Sequence, residues 1–268
     1  MVLRLLGTGA AEGIPAFCAA TRVSDYARAN GGKDVRTRSG ALLDCCIKID
    51  LPPDTLMQMH RDGLDASDWS CLIFTHGHDD HFTPSELQYA LYPFNDQEQL
   101  GYTIYANPQI CARIRTQYPD WPMAIFETNS FRTFEHEGYR ITPIHANHKP
   151  DEDAQNLIFE KNGKRLLYAT DTGYWLDETW SFLEGWKLDA LVIECCEGLR
   201  PTDYYGHLDV GLCLQMIERL RKMGVLTDDS LICTTHHSHN GDATHAELEA
   251  ALNPHGVQVG YDGLELRI

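Results

Sequence analysis

The 268-residue chain carries 39 acidic against 22 basic residues, a formal charge of −17, with 43% hydrophobic residues. So acidic a surface repels a polyphosphate backbone, which excludes long nucleic acid as the expected partner. No apolar run approaches a membrane span, the first strand-like run is too short for a signal core, and the nine cysteines are odd in number and lack C-x-x-C spacing. These features predict a reducing, cytoplasmic setting without a membrane partner.

In chain order, residues 2–6 read as a first strand, followed by the glycine-rich turn Gly7-Thr8-Gly9-Ala10-Ala11-Glu12-Gly13-Ile14-Pro15. Such a turn can mark a dinucleotide site, but the helix that site requires is missing, because Pro15 and a polar stretch follow. Residues 17–40 read as a long polar loop carrying Arg22, Arg28, Lys33, Arg36 and Arg38 against Asp25 and Asp34. Two readings stand: a solvated loop, or an anion-binding flap in which Arg36 or Arg38 contacts a substrate phosphate. Residues 41–50 read as a strand, with Cys45 and Cys46 as small hydrophobes within it, ended by Pro52-Pro53; residues 55–61 read as a short helix.

The run Cys71-Leu72-Ile73-Phe74 has the length and content of a buried strand and leads into Thr75-His76-Gly77-His78-Asp79-Asp80-His81. At a strand end, side chains at i and i+2 point the same way, so His76 and His78 can share one ion while Asp80 and His81 reach a second. Neutral imidazole and carboxylate suit divalent zinc, manganese or iron. Titrating groups massed at a buried strand end are costly without a partner, which argues against a solvated loop. Thr83-Pro84-Ser85-Glu86 then reads as a capping box opening a helix.

Further on, residues 102–106 predict a strand, 108–117 a helix, and 131–134 with 139–144 a strand pair that ends in His145-Ala146-Asn147-His148. Residues 156–160 and 164–169 flank Asn162-Gly163, a type I′ hairpin signal, and deliver Asp171-Thr172-Gly173, where the Asp could simply cap a turn. Residues 188–195 predict a central strand. Asp209 is placed to cap an amphipathic helix with Val210, Leu214, Ile217 and Leu220 on one face, and His207 stands just ahead of it. Residues 231–235 form another strand, ending in His236-His237-Ser238-His239. Residues 257–260 and 264–267 predict a closing hairpin around Asp262-Gly263. No linker or repeat divides residues 1–268, so one α/β domain is expected.

His-x-His-x-Asp-His after a strand resembles the signature of the metallo-β-lactamase superfamily. The Gly-x-Gly-x-x-x-Gly-x-Pro turn at residues 7–15 resembles its phosphodiesterase branch, in particular the cyclic-phosphate phosphodiesterases of the carbon–phosphorus lyase pathway. The resemblance implies an αββα sandwich of two mixed sheets flanked by helices. It implies two divalent transition-metal ions, zinc or manganese with iron as a third option: His76, His78 and His148 on one, Asp80, His81 and His236 on the other, and Asp171 bridging. His148 fits the family position better than His145. Relatives place Asp-x-Gly where this chain has Asp50-Leu51-Pro52, with the Asp orienting a metal ligand from behind; Pro52 in place of that Gly leaves this role for Asp50 open. Their extra structural zinc needs cysteines where this chain offers only Cys18, which leaves His239 as a substrate contact or a support for a ligand.

The implied activity is hydrolysis of small or cyclic phosphodiesters. Two ions roughly 3.5–4 Å apart acidify a water, Asp80 serves the reaction as well as the metal, and His207 protonates the leaving alkoxide. The implied partner is a small phosphoester, with a homodimer left open. A metal-dependent hydrolase of carboxylic esters, thioesters or lactones is the alternative, since carbonyl chemistry does not need the acid. A non-catalytic metal-binding protein ranks third, because no ligand position is degraded. Di-iron oxygen chemistry is disfavoured, since such relatives carry Glu where this chain has His78.

Overall fold

The computed structural model describes residues 1–95, 103–122 and 124–268. The strands, in chain order, are β1 Val2–Gly7, β2 Gly40–Leu43, β3 Ile47–Ile49, β4 Cys71–Ile73, β5 Thr103–Ala106, β6 Ile125–Glu127, β7 Phe134–His136, β8 Tyr139–His145, β9 Gln155–Lys161, β10 Lys164–Ala169, β11 Ala190–Glu194, β12 Leu231–Thr235, β13 Gln258–Val259 and β14 Glu265–Arg267. They form two seven-stranded sheets, β14-β1-β2-β3-β4-β5-β6 and β13-β12-β11-β10-β9-β8-β7. Each mixes parallel and antiparallel pairs. The helices are α1 Arg22–Asn30, α2 Thr55–Asp62, α3 Pro108–Gln117, α4 Asp177–Phe182, α5 Val210–Lys222 and α6 His245–Leu252.

Side-chain alternation decides the layering. In β4, Cys71 and Ile73 enter the core between the sheets, while Leu72 and Phe74 join Ile110 and Ile114 of α3 on the outer face. In β10 and β11, Leu166, Tyr168, Ala190 and Val192 face the other sheet, while Leu167, Ala169, Leu191 and Ile193 pack with Cys213, Met216, Ile217 and Leu220 of α5. Strands covered on both faces read as unbroken apolar runs, which is why these were visible in the sequence. The result is the expected αββα sandwich of two mixed sheets. Among the described residues, no helix is long and apolar enough to cross a membrane.

Several local expectations give way. Residues 41–50 are a hairpin, β2 to β3, because Asp44 and Cys45 take left-handed φ of 47° and 61° and Cys46 N–H bonds Leu43 O at 3.1 Å. Cys45 is therefore exposed at a turn, not buried in a strand. The predicted polar loop contains α1, capped by Thr21. The capping box at Thr83 does not form: its hydroxyl donates to Asp79 O at 3.0 Å, and Pro84–Ala90 winds as a 3₁₀ segment. The first strand of the 131–144 pair starts at Phe134, since Phe131 turns at φ 67°. β13 and β14 are not a hairpin. β13 runs parallel to β12 in one sheet and β14 antiparallel to β1 in the other, so Gly263, at φ 88°, turns the chain between sheets. Of the strand expected at 102–106, Tyr102 lies outside the described residues and β5 covers the rest.

Candidate metal centre

Strand direction brings the site together. β3 and β4 are parallel, as are β10, β11 and β12, so their carboxyl ends share one edge of each sheet. Asp50 follows β3, His76 follows β4, His148 follows β8, Asp171 follows β10, Glu194 ends β11 and His236 follows β12. Such strand ends are where open α/β sheets present their chemistry. Asp50, Asp171 and His236 take φ of 58°, 44° and 55°. Non-glycine residues adopt that region at a cost of about 1–3 kcal/mol each, and here three of them do so within two residues of a strand end.

Within the motif, Gly77 is required by a close approach. Its N–H donates to Glu152, its carbonyl accepts Arg113 Nη1 at 2.6 Å, and a Cβ there would lie 2.8 Å from Glu152 Oε2. The clamped peptide spaces His76 and His78.

Two groups of donors converge. His76 Nε2 and His148 Nε2 each lie 3.0 Å from His78 Nδ1, and these three offer ligand atoms within 4.8 Å of one another. Asp80, His81 and His236 form the second group. Asp171 lies between them: Oδ2 is 2.8 Å from His81 Nε2, while Oδ1 is 3.1 Å from His236 Nε2 and 3.4 Å from His148 Nε2. The remaining ring nitrogens are held from behind. His76 Nδ1 meets Thr75 Oγ1 at 3.1 Å, His81 Nδ1 meets Asp50 Oδ2 at 2.7 Å, His148 Nδ1 donates to Gly206 O at 2.8 Å and His236 Nδ1 meets Ser39 Oγ at 2.9 Å. Outer partners of this kind fix the tautomer that leaves the inner nitrogen free to ligate.

This donor set fits divalent ions. His81 Nε2 is buried and lacks an aligned hydrogen bond, although Asp80 and Asp171 oxygens stand 3.2 and 2.8 Å away. Burial pushes His76 well below the ordinary imidazole value, so it presents a lone pair. Burial would raise the Asp171 carboxyl, yet His236, His81 and His148 hold it well below the usual carboxylate range. Burial would lower His81 too, but Asp171, Asp80 and Asp50 raise it well above the ordinary imidazole value, so the carboxylates draw positive charge into the cluster, which a transition-metal dication can supply.

Every residue expected as a metal ligand is therefore in the cluster, with His148 in it and His145 turned away to Glu178. His207 joins it: Nδ1 lies 2.9 Å from Glu194 Oε2 and 3.9 Å from Asp171 Oδ1. The substrate assignments fare differently. Arg36 is 3% exposed and spends its guanidinium on Thr8 Oγ1 at 2.7 Å, Gly260 O at 2.6 Å and His245 Nδ1 at 2.9 Å, so it does not face a substrate. Arg38 is committed to Asp54 at 3.1 Å and Ala11 O at 2.7 Å. His239 Nδ1 meets Thr21 Oγ1 at 2.9 Å, and its Nε2 lies 3.6 Å from Glu12.

Three participants stand beyond what the sequence assigns. Asp50 does orient His81 despite Pro52, and it also accepts the Thr75 N–H at 2.8 Å. Glu194, fully buried, accepts from Thr172 N at 2.8 Å and Gly173 N at 3.0 Å while pairing with His207, so it fixes the turn that carries Asp171. Cys196 brings its thiol within 4.8 Å of the rings of His207 and His236. A carboxylate ending a buried strand, as Glu194 does, was the available signal.

Fold and donor cluster together define a metal-dependent hydrolase with an αββα scaffold. The chain belongs to the β-lactamase superfamily: the model of the β-lactamase superfamily domain matches residues 41–237. No curated protein matches the sequence. Among solved structures it is similar to a diphosphatase from the PhnP family, at 22% identity and TM-score 0.77 over 100% of this chain and 97% of that one. It is also similar to Zn²⁺-bound PqqB from Methylobacterium extorquens, at 17% identity and TM-score 0.74 over 100% of both chains. The short form of human tRNase Z matches at 15% identity and TM-score 0.66, over 100% of this chain and 99% of that one. At these identities the likeness is one of fold.

Proposed function

We propose that the chain is a phosphodiesterase of small or cyclic phosphodiesters, working as a single catalytic domain over residues 1–268. The observation that carries this reading is the pairing of buried Glu194 with partly exposed His207 beside the donor cluster. Burial would strip the proton from His207, but Glu194 outweighs it and raises the imidazole to about 9. Glu194 accepts the Nδ1 proton, so Nε2 carries the one available to a leaving oxygen. Hydrolysis of a carbonyl compound on such a scaffold does not need that donor, whereas an alkoxide leaving phosphorus does. One of the fold neighbours is described as a diphosphatase, which is phosphoryl chemistry on the same scaffold.

In this reading His76, His78 and His148 would hold one divalent transition-metal ion and Asp80, His81 and His236 another, with Asp171 placed between the two groups to serve both. Zinc and manganese suit the donors best. When bound, the pair supplies an activated water and positive charge against the phosphoryl oxygens. The partner is a small phosphoester; a surface of charge −17 disfavours long nucleic acid. Nine free cysteines, Cys18 and Cys45 among them exposed, fit a reducing cytoplasm.

His207→Ala tests the reading. Alkyl or cyclic ribose-type diesters should slow by about 10²–10⁴, the usual worth of a positioned acid. Nitrophenyl diesters, whose leaving group needs no proton, should slow far less, with metal content unchanged. Equal slowing of both substrates, or loss of metal, would overturn the acid and favour an esterase, thioesterase or lactonase.

A further inference from the structure

Beside the loop that leads into His207 lies an open cavity of about 650 Å³, within the range of small-molecule sites. Its walls include Asn147, which precedes His148, and Tyr204 and Tyr205, which precede Gly206. Tyr174, Leu176 and Leu212 enclose it further. Tyr204 and Tyr205 are 56% and 77% exposed, an aromatic pair that no core contact accounts for. Neither belongs to the metal-binding motif.

The loop that carries them is fixed to the site. Thr202 N donates to Asp209 Oδ2 at 3.0 Å, Tyr204 N to Thr202 Oγ1 at 3.0 Å and Tyr174 N to Tyr205 O at 3.2 Å. The Tyr204 ring lies directly on Gly206, where a Cβ would come within 2.7 Å of its Cζ, and the Gly206 carbonyl holds His148. The Tyr204 ring centroid is 5.8 Å from that of His207. An aromatic face is thus held one ring away from the candidate acid.

The acid must touch the leaving oxygen, and Tyr204 is the cavity-lining ring that stands beside that acid. Charge narrows the class. Asp177 and Asp203 line the cavity, and the guanidinium of Arg219, also in its wall, sits over the Trp180 ring at 4.0 Å. An anion is disfavoured there, and a flat neutral or cationic ring is favoured.

Building on the phosphodiesterase reading, we propose that this cavity is a specificity subsite for a leaving alcohol bearing a neutral or cationic aromatic or heteroaromatic ring, stacked on Tyr204. Water adds to phosphorus, the P–O bond to that alcohol breaks, and the His207 proton departs on its oxygen. The products are a phosphomonoester and a neutral alcohol, and the proton released by the water restores His207.

The test compares methyl benzyl phosphate with methyl cyclohexylmethyl phosphate on the metal-loaded protein, a flat against a saturated ring of the same size. KM should be about tenfold lower for the benzyl ester, within the range for stacking on one aromatic side chain. Tyr204→Leu should bring the ratio to one, and Tyr204→Phe should keep it. Calorimetric binding of the corresponding methyl phosphonates, in which carbon replaces the leaving oxygen, reads the same preference without turnover. If neither diester is cleaved but the benzyl phosphonate still binds about tenfold tighter, the subsite stands and the phosphodiesterase reading falls. Equal binding of the two phosphonates, or a preference that survives Tyr204→Leu in folded, metal-loaded protein, overturns the subsite.

Discussion

Two regions of this molecule concentrate charge in the sequence, and the structure treats them in opposite ways. In segment 17–40 every cation finds a partner. Arg22 meets Asp242 and Glu247, Arg28 meets Asp25, Lys33 meets Glu249, Arg38 meets Asp54, and Arg36 is buried against hydroxyl, carbonyl and imidazole. At the strand ends the reverse holds: His81 Nε2 is buried without an aligned hydrogen bond, and histidine nitrogens crowd one another at 3.0 Å. Density of charged residues is therefore a poor marker of a site. A better one is a set of polar atoms that the protein itself leaves incomplete, since burying such atoms without a partner costs roughly 1–3 kcal/mol or more each.

The contrast breaks first at Asp171. If its two oxygens serve two ions, Asp171→Ala should lose both metals together, and hydrolysis with them, as read by elemental analysis of protein purified without chelator. One ion retained at full occupancy would show that the carboxylate does not bridge. A smaller effect is expected one layer out. Asp50→Ala removes the partner of His81 Nδ1, so metal affinity at the His81 ion should fall by about 10–100-fold while the His76 ion stays bound. Chelator titration separates the two, and an unchanged titration would reduce Asp50 to a brace for Thr75.

How much of this was legible depended on sequence distance. The sandwich was visible because β4, β10, β11 and β12 are short apolar runs with turn residues beside them. The donors were visible because four of them fall within six positions. Their supports were not: Asp50 and His81 lie 31 residues apart, Glu194 and His207 lie 13, and nothing local pairs them. α1 was missed because the apolar residues it buries are only Val23 and Ala27, set in a run of charged and polar neighbours that reads as a loop. The last turn was read correctly as a turn and wrongly as a hairpin. A glycine at positive φ reports the reversal and not which sheet receives the next strand.

Lys48 sharpens the contrast from a third direction, as a cation buried without a carboxylate against it. It is 0% exposed, and its Nζ donates to Ile49 O at 3.1 Å and to Asp50 O. Burial lowers it from 10.5 to about 7, with Asp50 opposing. Between those values the folded state holds fewer protons than the unfolded one, so stability due to this group rises with pH across the window. Below about 7 the full cost of the buried charge applies. Lys48→Met should therefore gain stability relative to the wild type most below pH 7, on the order of a few kcal/mol less what the lost hydrogen bonds return, and the difference should shrink toward pH 10.5. A pH-independent difference in denaturant midpoints would show that Lys48 is not strained by its burial.

The smallest expected effect lies in the basic segment. Arg22 is half exposed, with Nε 2.9 Å from Asp242 and Nη1 3.0 Å from Glu247. Glu247 is independently held by the Thr244 hydroxyl and N–H in the capping box of α6, so that helix start survives loss of the arginine. Arg22→Ala should cost about 0–1 kcal/mol, as exposed ion pairs do. The cost should shrink further at 1 M salt, where the screening length is about 3 Å. KM for a charged diester should not move, because the guanidinium is already spent on two carboxylates. A rise in KM for charged diesters, with none for a neutral ester, would mean that these pairs open to admit an anion, and the flap reading of segment 17–40 would return.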